Sequence, residues 1–124
     1  MANEISIAST LRISNGFLSQ VWTHSTTADQ TAAFCSSGVQ AIGTAAELLA
    51  VSSDVGTAGW GYVKNLHTAN YVDFGTDTSS FSPLIRLYPG QGHPVSWATT
   101  NIAARAQTSG STAVCNIIYS ISNK

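Results

Sequence analysis

At 124 residues the chain is one domain, long enough to bury roughly two-thirds of the surface its unfolded form exposes, with no metal or disulfide needed to fold. Only 9 % of it is Asp, Glu, Lys or Arg, against about 25 % in ordinary soluble domains, and Ser and Thr make up roughly a quarter. Its five basic residues are scattered and its net charge is −1, which excludes the basic patch that nucleic acid calls for; no apolar run reaches the roughly twenty residues of a membrane-spanning helix.

Low charge has a further implication. Burying a charge costs far more than burying a hydroxyl that finds a partner, and interface cores are depleted in charge and enriched in aromatics. The composition therefore points to a chain that buries much of its surface against other chains. The start, MANEISIAST, has neither the basic region nor the apolar core of a signal peptide. Cys35 and Cys115 show no framework pattern and read as two buried thiols, with a disulfide as the alternative should strand pairing bring the two distant positions together.

Along the chain, Ile5, Ile7, Leu11 and Ile13 alternate with polar residues, which predicts a half-buried strand. Asn15-Gly16 is a strong hairpin signal, and a two-residue turn there pairs Ser14 with Phe17 and Ile13 with Leu18. Leu18, Gln20 and Trp22 then share the face of Leu11 and Ile13. From His24 to Ser37 the pattern blurs into a loop and a short strand ending at Phe34 or Cys35. Val39–Ile42 and Glu47–Ser52 read as strands, with tolerance for a helical turn at Ala45–Leu49.

Gly59–Leu66 makes the next strand, with Trp60, Tyr62 and Leu66 on one face. His67-Thr68-Ala69 reads as a tight connection to Asn70–Gly75, whose Val72 and Phe74 point inward, giving a second hairpin. After a polar loop over Thr76–Ser82, Pro83–Tyr88 is a strand and Pro89-Gly90 fits the centre of a type II turn. His93–Ala98 and Ile102–Ala106 are short strands, Thr108–Ser111 is a polar turn, and Ala113–Ile121 closes the chain with Cys115, Ile117, Tyr119 and Ile121 in strict alternation. Eight or nine short strands and no helix predict an all-β antiparallel two-sheet sandwich, jelly-roll-like or Ig-like, over residues 1–124.

Chemistry is sparse. His24, His67 and His93 lack metal-site spacing, and the acids are scattered, with no pair marked out for the two-carboxylate geometry of a glycosidase. There is no Gly-x-Ser-x-Gly elbow, and Gly59-Trp60-Gly61 lacks the Lys-Ser/Thr of a phosphate loop; it reads as a strand start where a large ring packs over bare backbone. No catalytic residue, cofactor or metal is predicted. The rings of Trp22, Trp60, Tyr62, Tyr71, Tyr88 and Trp97 suit either core and interface packing or stacking on sugars, so a carbohydrate-binding sandwich is the alternative from another class, with a hydrolase last.

Gly59-Trp60, Val63-Lys64-Asn65-Leu66, Asn70-Tyr71-Val72-Asp73-Phe74-Gly75 and Leu84-Ile85-Arg86-Leu87-Tyr88-Pro89-Gly90 together resemble a pattern found in small virion proteins of tailed bacteriophages. The resemblance covers roughly the C-terminal half to two-thirds, with Ile102–Ile121 as its closing strands. The chain departs from the pattern at His67 and at Gln91-Gly92-His93, where an acid is expected. The resemblance implies a non-enzymatic capsid decoration (cement) protein on the phage head surface, made in the host cytoplasm. Its implied partners are the major capsid protein and itself, as a homotrimer, with neither nucleic acid nor membrane. A tail, baseplate or head-fibre part is the second placement. Termini and long polar loops are what a sandwich leaves free for neighbours, which nominates Ile5 and Ile7 of the N-terminal strand, His24 and Asp29, and Thr76 and Ser82.

Overall fold

Period-2 runs and turn chemistry yield ten strands in the computed structural model, which describes residues 4–107 and 114–124. They are β1 Ile5–Asn15, β2 Leu18–Ala28, β3 Cys35–Ile42, β4 Glu47–Leu48, β5 Ala58–Asn65, β6 Val72–Gly75, β7 Pro83–Leu87, β8 Gly92–Ser96, β9 Ala103–Ala106 and β10 Cys115–Asn123. A 3-10 turn at Ser53–Val55 is the one helical element among the described residues. The turn expected at Thr108–Ser111 lies outside them, as does Ala113.

Eight of the strands make an antiparallel sandwich. One sheet runs β3-β10-β5-β8 and the other β4-β9-β6-β7. The pairings nest as β3 with β10, β4 with β9, β5 with β8 and β6 with β7. This is one long antiparallel ribbon whose successive strand pairs alternate between two sheets, which is the jelly roll rather than the Ig arrangement.

The core lies between the sheets. Cys115, Ile117, Tyr119 and Ile121 of β10 all face it, with Val63, Val72, Phe74, Leu87 and Ile42. The alternation of β10 thus reports its buried face as expected. Burial pushes the Cys115 thiol above the usual thiol range and leaves it as a small apolar side chain. Cys35, expected buried, is exposed. The register pairs Cys115 with Ile42 and Ser122 with Cys35, so the two thiols sit at opposite ends of one ladder. Gly61 is needed where two elements meet: a Cβ there would stand 1.8 Å from the Ser120 carbonyl oxygen and 2.6 Å from Trp97 Nε1. The ring packed over bare backbone is therefore that of Trp97.

Several expectations are corrected. β5 and β6 are not a hairpin, because they lie in different sheets. The fully buried Asn65 turns the chain between them: its Nδ2 donates to the Asn70 and Leu87 carbonyls (2.9 and 3.0 Å), and its Oδ1 accepts from His67 N (2.9 Å). His67 Nδ1 accepts from the backbone N–H groups of Ala69 and Asn70. With the corner's polar groups satisfied by side chains, the strand has no need to fold back on its predecessor. The local hairpin is β6–β7, joined through 76–82. Elsewhere, β3 begins at Cys35 instead of a strand ending there, and the strand read at Glu47–Ser52 shrinks to Glu47–Leu48 before the 3-10 turn. The Pro89-Gly90 turn forms as expected, with Gly90 at φ +76° and Gln91 N donating to the Tyr88 carbonyl (3.0 Å).

Candidate docking surface

β1 and β2 form a two-stranded sheet of their own and, among the described residues, pair with no strand of the sandwich. Each strand has 11 residues, a ribbon of about 36 Å at 3.3 Å per residue. The register pairs Leu11 with Trp22, Ile13 with Gln20 and Asn15 with Leu18. The turn therefore centres on Gly16-Phe17, and the pairing is shifted by two residues from the expected one. Gly16 takes φ +56°, the conformation a tight hairpin demands and glycine supplies. A shift of two preserves the faces, so Ile5, Ile7, Leu11, Ile13, Leu18 and Trp22 share one face as the alternation implied.

What covers that face changes along its length. At the root, Ile7 is buried to 6 % exposure and Ile5 is half-buried; both line a shallow pocket with Trp60, Tyr62 and Pro94 on the outer face of the β3-β10-β5-β8 sheet. The root is also tied down by polar contacts. Glu4 accepts from Gln30 N, and Gln30 Nε2 donates to the Phe34 carbonyl (2.9 Å) and to Asn123 Oδ1 (2.7 Å). Beyond Ser9 the cover thins: on this face Leu11 is 57 % exposed, Trp22 64 % and Leu18 is exposed, with Ile13 half-buried. Val21 on the opposite face and Phe17 in the turn are exposed as well.

Beside this outer half lies an open groove of about 920 Å³, walled by Leu11, Trp22 and His24 on one side and by Gln91, Gly92 and His93 on the other. His24 is thus on a strand, opposite Ser9, and not in the loop expected for it. Asp29 is exposed at the hairpin's exit and lines a pocket with Ile5. Thr76 and Ser82 are exposed at the two ends of the β6–β7 loop, on the other sheet. The six nominated residues therefore do not make one surface, and Ile7 is covered by its own chain. Leu11, Leu18 and Trp22, which read as the inner face of a half-buried strand, are the exposed ones.

The second sheet carries a built polar cluster. Asp73, 2 % exposed, receives Arg86 Nε and Nη2 at 2.7 and 2.9 Å, a two-pronged contact that raises the Arg86 pKa. The guanidinium lies 3.9 Å from the centre of the Tyr71 ring, which meets Tyr88 edge-on. Here the aromatics pack around an ion pair whose carboxylate is buried and whose guanidinium is partly exposed. Among the described residues no three of His, Cys, Asp or Glu are grouped to hold a metal ion, and no helix is long and apolar enough to cross a membrane.

No family model, curated protein or solved structure matches the chain.

Proposed function

We propose that this chain is a non-enzymatic virion structural protein, a capsid decoration protein that binds the outer surface of an assembled phage head and stabilises it. The observation that carries the reading is the 24-residue segment Ile5–Ala28, a ribbon held at its root with an uncovered apolar face beyond it. An isolated two-stranded ribbon is marginal in water. One that also exposes Trp and Leu gains stability by seating on another protein. The low charge of the whole chain and the resemblance of residues 59–90 to phage virion proteins support the same reading. Jelly rolls serve in viral capsid and lectin domains, so the fold is compatible with it without assigning it. A tail or baseplate placement belongs to the same class of virion structure.

Attachment of this kind acts by mass action: a protein that binds the shell and not the free subunits lowers the free energy of the shell alone. With few charges, the contacts are apolar and hydroxyl-based and depend weakly on salt. The test is co-sedimentation of the purified chain with phage heads and, separately, with free major capsid protein, followed by washes of rising salt. Binding to heads alone and retention at several hundred millimolar salt are expected. Binding to neither, or release when the Debye length falls to roughly 5 Å, overturns the proposal.

A second reading, carbohydrate binding, has one observation in its favour. The groove places the exposed Trp22 ring beside His24, Gln91 and His93, an apolar platform with neutral hydrogen-bonding groups. A glycan array separates the two, since a purely structural subunit binds no sugar.

A further inference from the structure

We infer that the outer half of the β1–β2 hairpin is an arm that seats on a second copy of this chain, on the β3–β10 half of the outer face of its β3-β10-β5-β8 sheet. The inference rests on the reading of the chain as an assembly subunit, and not on which shell it decorates.

The first argument is the chemistry of the two surfaces. Among the residues of β1 and β2, Arg12 carries the one formal charge. The occupant of the arm's face must therefore be apolar and nearly uncharged itself, because a charged surface would be desolvated without return. The outer face of this chain's own sheet meets that description. Val39 and Ile118 are exposed, directly opposite each other across the β3–β10 ladder. Asn116 with Ala41 and Ser120 with Ser37 continue the face on either side. The four strands of this sheet contribute one formally charged residue, Lys64 on β5.

The second argument is continuity. The hairpin root already lies against the β5–β8 half of this same face, beside Trp60, Tyr62 and Pro94, and buries Ile7 there. The face of the hairpin that accepts this sheet thus runs on, uncovered, through Leu11 and Trp22. The pocket at the root reaches Ser120 and Ser122 of β10, so what the root leaves open on this sheet is β3 with the Val39–Ile118 stretch of β10. From Ser9 to the tip the arm reaches about 23 Å at 3.3 Å per residue, past the support of its own sandwich.

The third argument is the edge. β3 is an outer strand of eight residues with no Pro, Lys or acid, whereas natural sheets blunt such edges with charge, proline or a bulge. β8, the opposite edge, has Pro94 and the hairpin root beside it. An undefended edge next to an exposed Val39–Ile118 pair marks a face that is covered in the assembled state. On the arm's face Trp22 contributes about 150–250 Å² when buried, with Leu11 and Leu18 beside it, toward the roughly 800 Å² that one partner supplies to a standard interface. Each copy both gives an arm and receives one. Because arm and face are different patches, the contact is heterologous and closes into a ring when the rotation allows.

The experiment is light scattering on the full chain at micromolar concentration, with a photo-crosslinking amino acid placed at position 22 in mixtures of isotopically light and heavy chains. Association beyond one chain, with light–heavy adducts mapping to 35–42 or 115–123, is expected. The paired changes Leu11→Ser with Trp22→Ser on the arm, and Val39→Lys with Ile118→Lys on the face, should each reduce the mass to that of one chain. All four sites are exposed, so the strand-type circular dichroism spectrum should persist. A wild-type chain that is monomeric, an arm variant that keeps the wild-type mass, or adducts within one chain only would overturn the proposal. Head binding by a monomeric wild type would remove the arm contact and leave the decoration reading standing. Self-association without head binding would do the reverse.

Discussion

β10 and the β1–β2 hairpin show the same alternation of apolar and polar residues and end in opposite situations. In β10, Cys115, Ile117, Tyr119 and Ile121 are sealed between two sheets. In the hairpin, Leu11, Leu18 and Trp22 share a face equally well, and only the root, at Ile7, is buried. Alternation states that one face of a strand is apolar; it does not state whose atoms will cover it. Where the chain itself supplies the cover, the pattern reports a core. Where it does not, the pattern reports an apolar face left open to solvent.

The largest expected effect separates the two regions by stability. Phe74→Ala or Ile117→Ala empties a site with 0–1 % exposure and should cost about 2–5 kcal/mol, through lost transfer energy and the cavity left behind. Leu11→Ala and Trp22→Ala remove side chains that touch solvent and should change the stability of the single chain by about 0.5 kcal/mol or less. Chemical denaturation of dilute protein measures both. A hairpin substitution as costly as a core one would mean that the ribbon packs on its own sandwich after all.

This contrast also marks how far the sequence could be read. The sandwich class, the inward residues of β6 and β10, and the Pro89-Gly90 turn are local signals and all are found in the structure. The partner of β5 was not legible. His67-Thr68-Ala69 has the length of a hairpin turn, and nothing nearby in sequence reveals that Asn65 will be buried with its amide on the Leu87 carbonyl, 22 residues on. The hairpin register slipped by two because Asn15-Gly16 and Gly16-Phe17 both offer glycine to the turn, and a slip of two costs no facial mismatch. Uncovered Leu11 and Trp22 were illegible for a stronger reason: exposure is a property of what is missing, and the low overall charge was its only trace.

Glycine substitutions sharpen the comparison at a smaller scale. Gly61→Ala drives a methyl group into the Ser120 carbonyl, at 1.8 Å, so β5 and β10 must separate; a loss at or above the upper end of about 1–3 kcal/mol is expected. Gly16→Ala meets no atom within 4 Å but keeps φ +56°, and the left-handed backbone alone should cost about 1 kcal/mol. Equal losses at the two sites would show that the hairpin turn is packed against something the monomer does not contain.

Thiol chemistry reads the two environments without altering the fold. Cys35 is exposed and Cys115 is buried with its pKa pushed up by desolvation, so its reactive thiolate is both inaccessible and scarce. A chromogenic disulfide reagent should titrate one thiol in the native protein and two after denaturation. If a neighbouring copy covers the β3 edge, Cys35 should also slow as the protein associates. Two fast thiols in the native state would place β10 outside the core.

The smallest effect concerns an exposed loop that, unlike the hairpin's outer half, belongs to the sandwich. At the head of the β6–β7 loop, Asp77 Oδ1 accepts from the backbone N–H of Ser79 and from its hydroxyl, both at 2.9 Å. Hydrogen bonds to the charged form favour it, so the Asp77 pKa lies below the usual carboxylate value, with the Ser79 backbone contact as the largest cause. The sign follows directly. A group whose folded pKa is depressed stabilises the fold above its unfolded value and loses that contribution as pH falls through the folded one, here in the window below about 4. Because Asp77 is fully exposed, solvent screens the effect, and the global unfolding midpoint should show no step assignable to it. The readout is the carboxyl carbon shift of Asp77 by NMR. Its titration midpoint should fall below that of an Asp in a short peptide, and Ser79→Ala should recover part of the difference, since the backbone donor remains. A midpoint at or above the peptide value would mean that the Ser79 contacts do not hold this loop in solution.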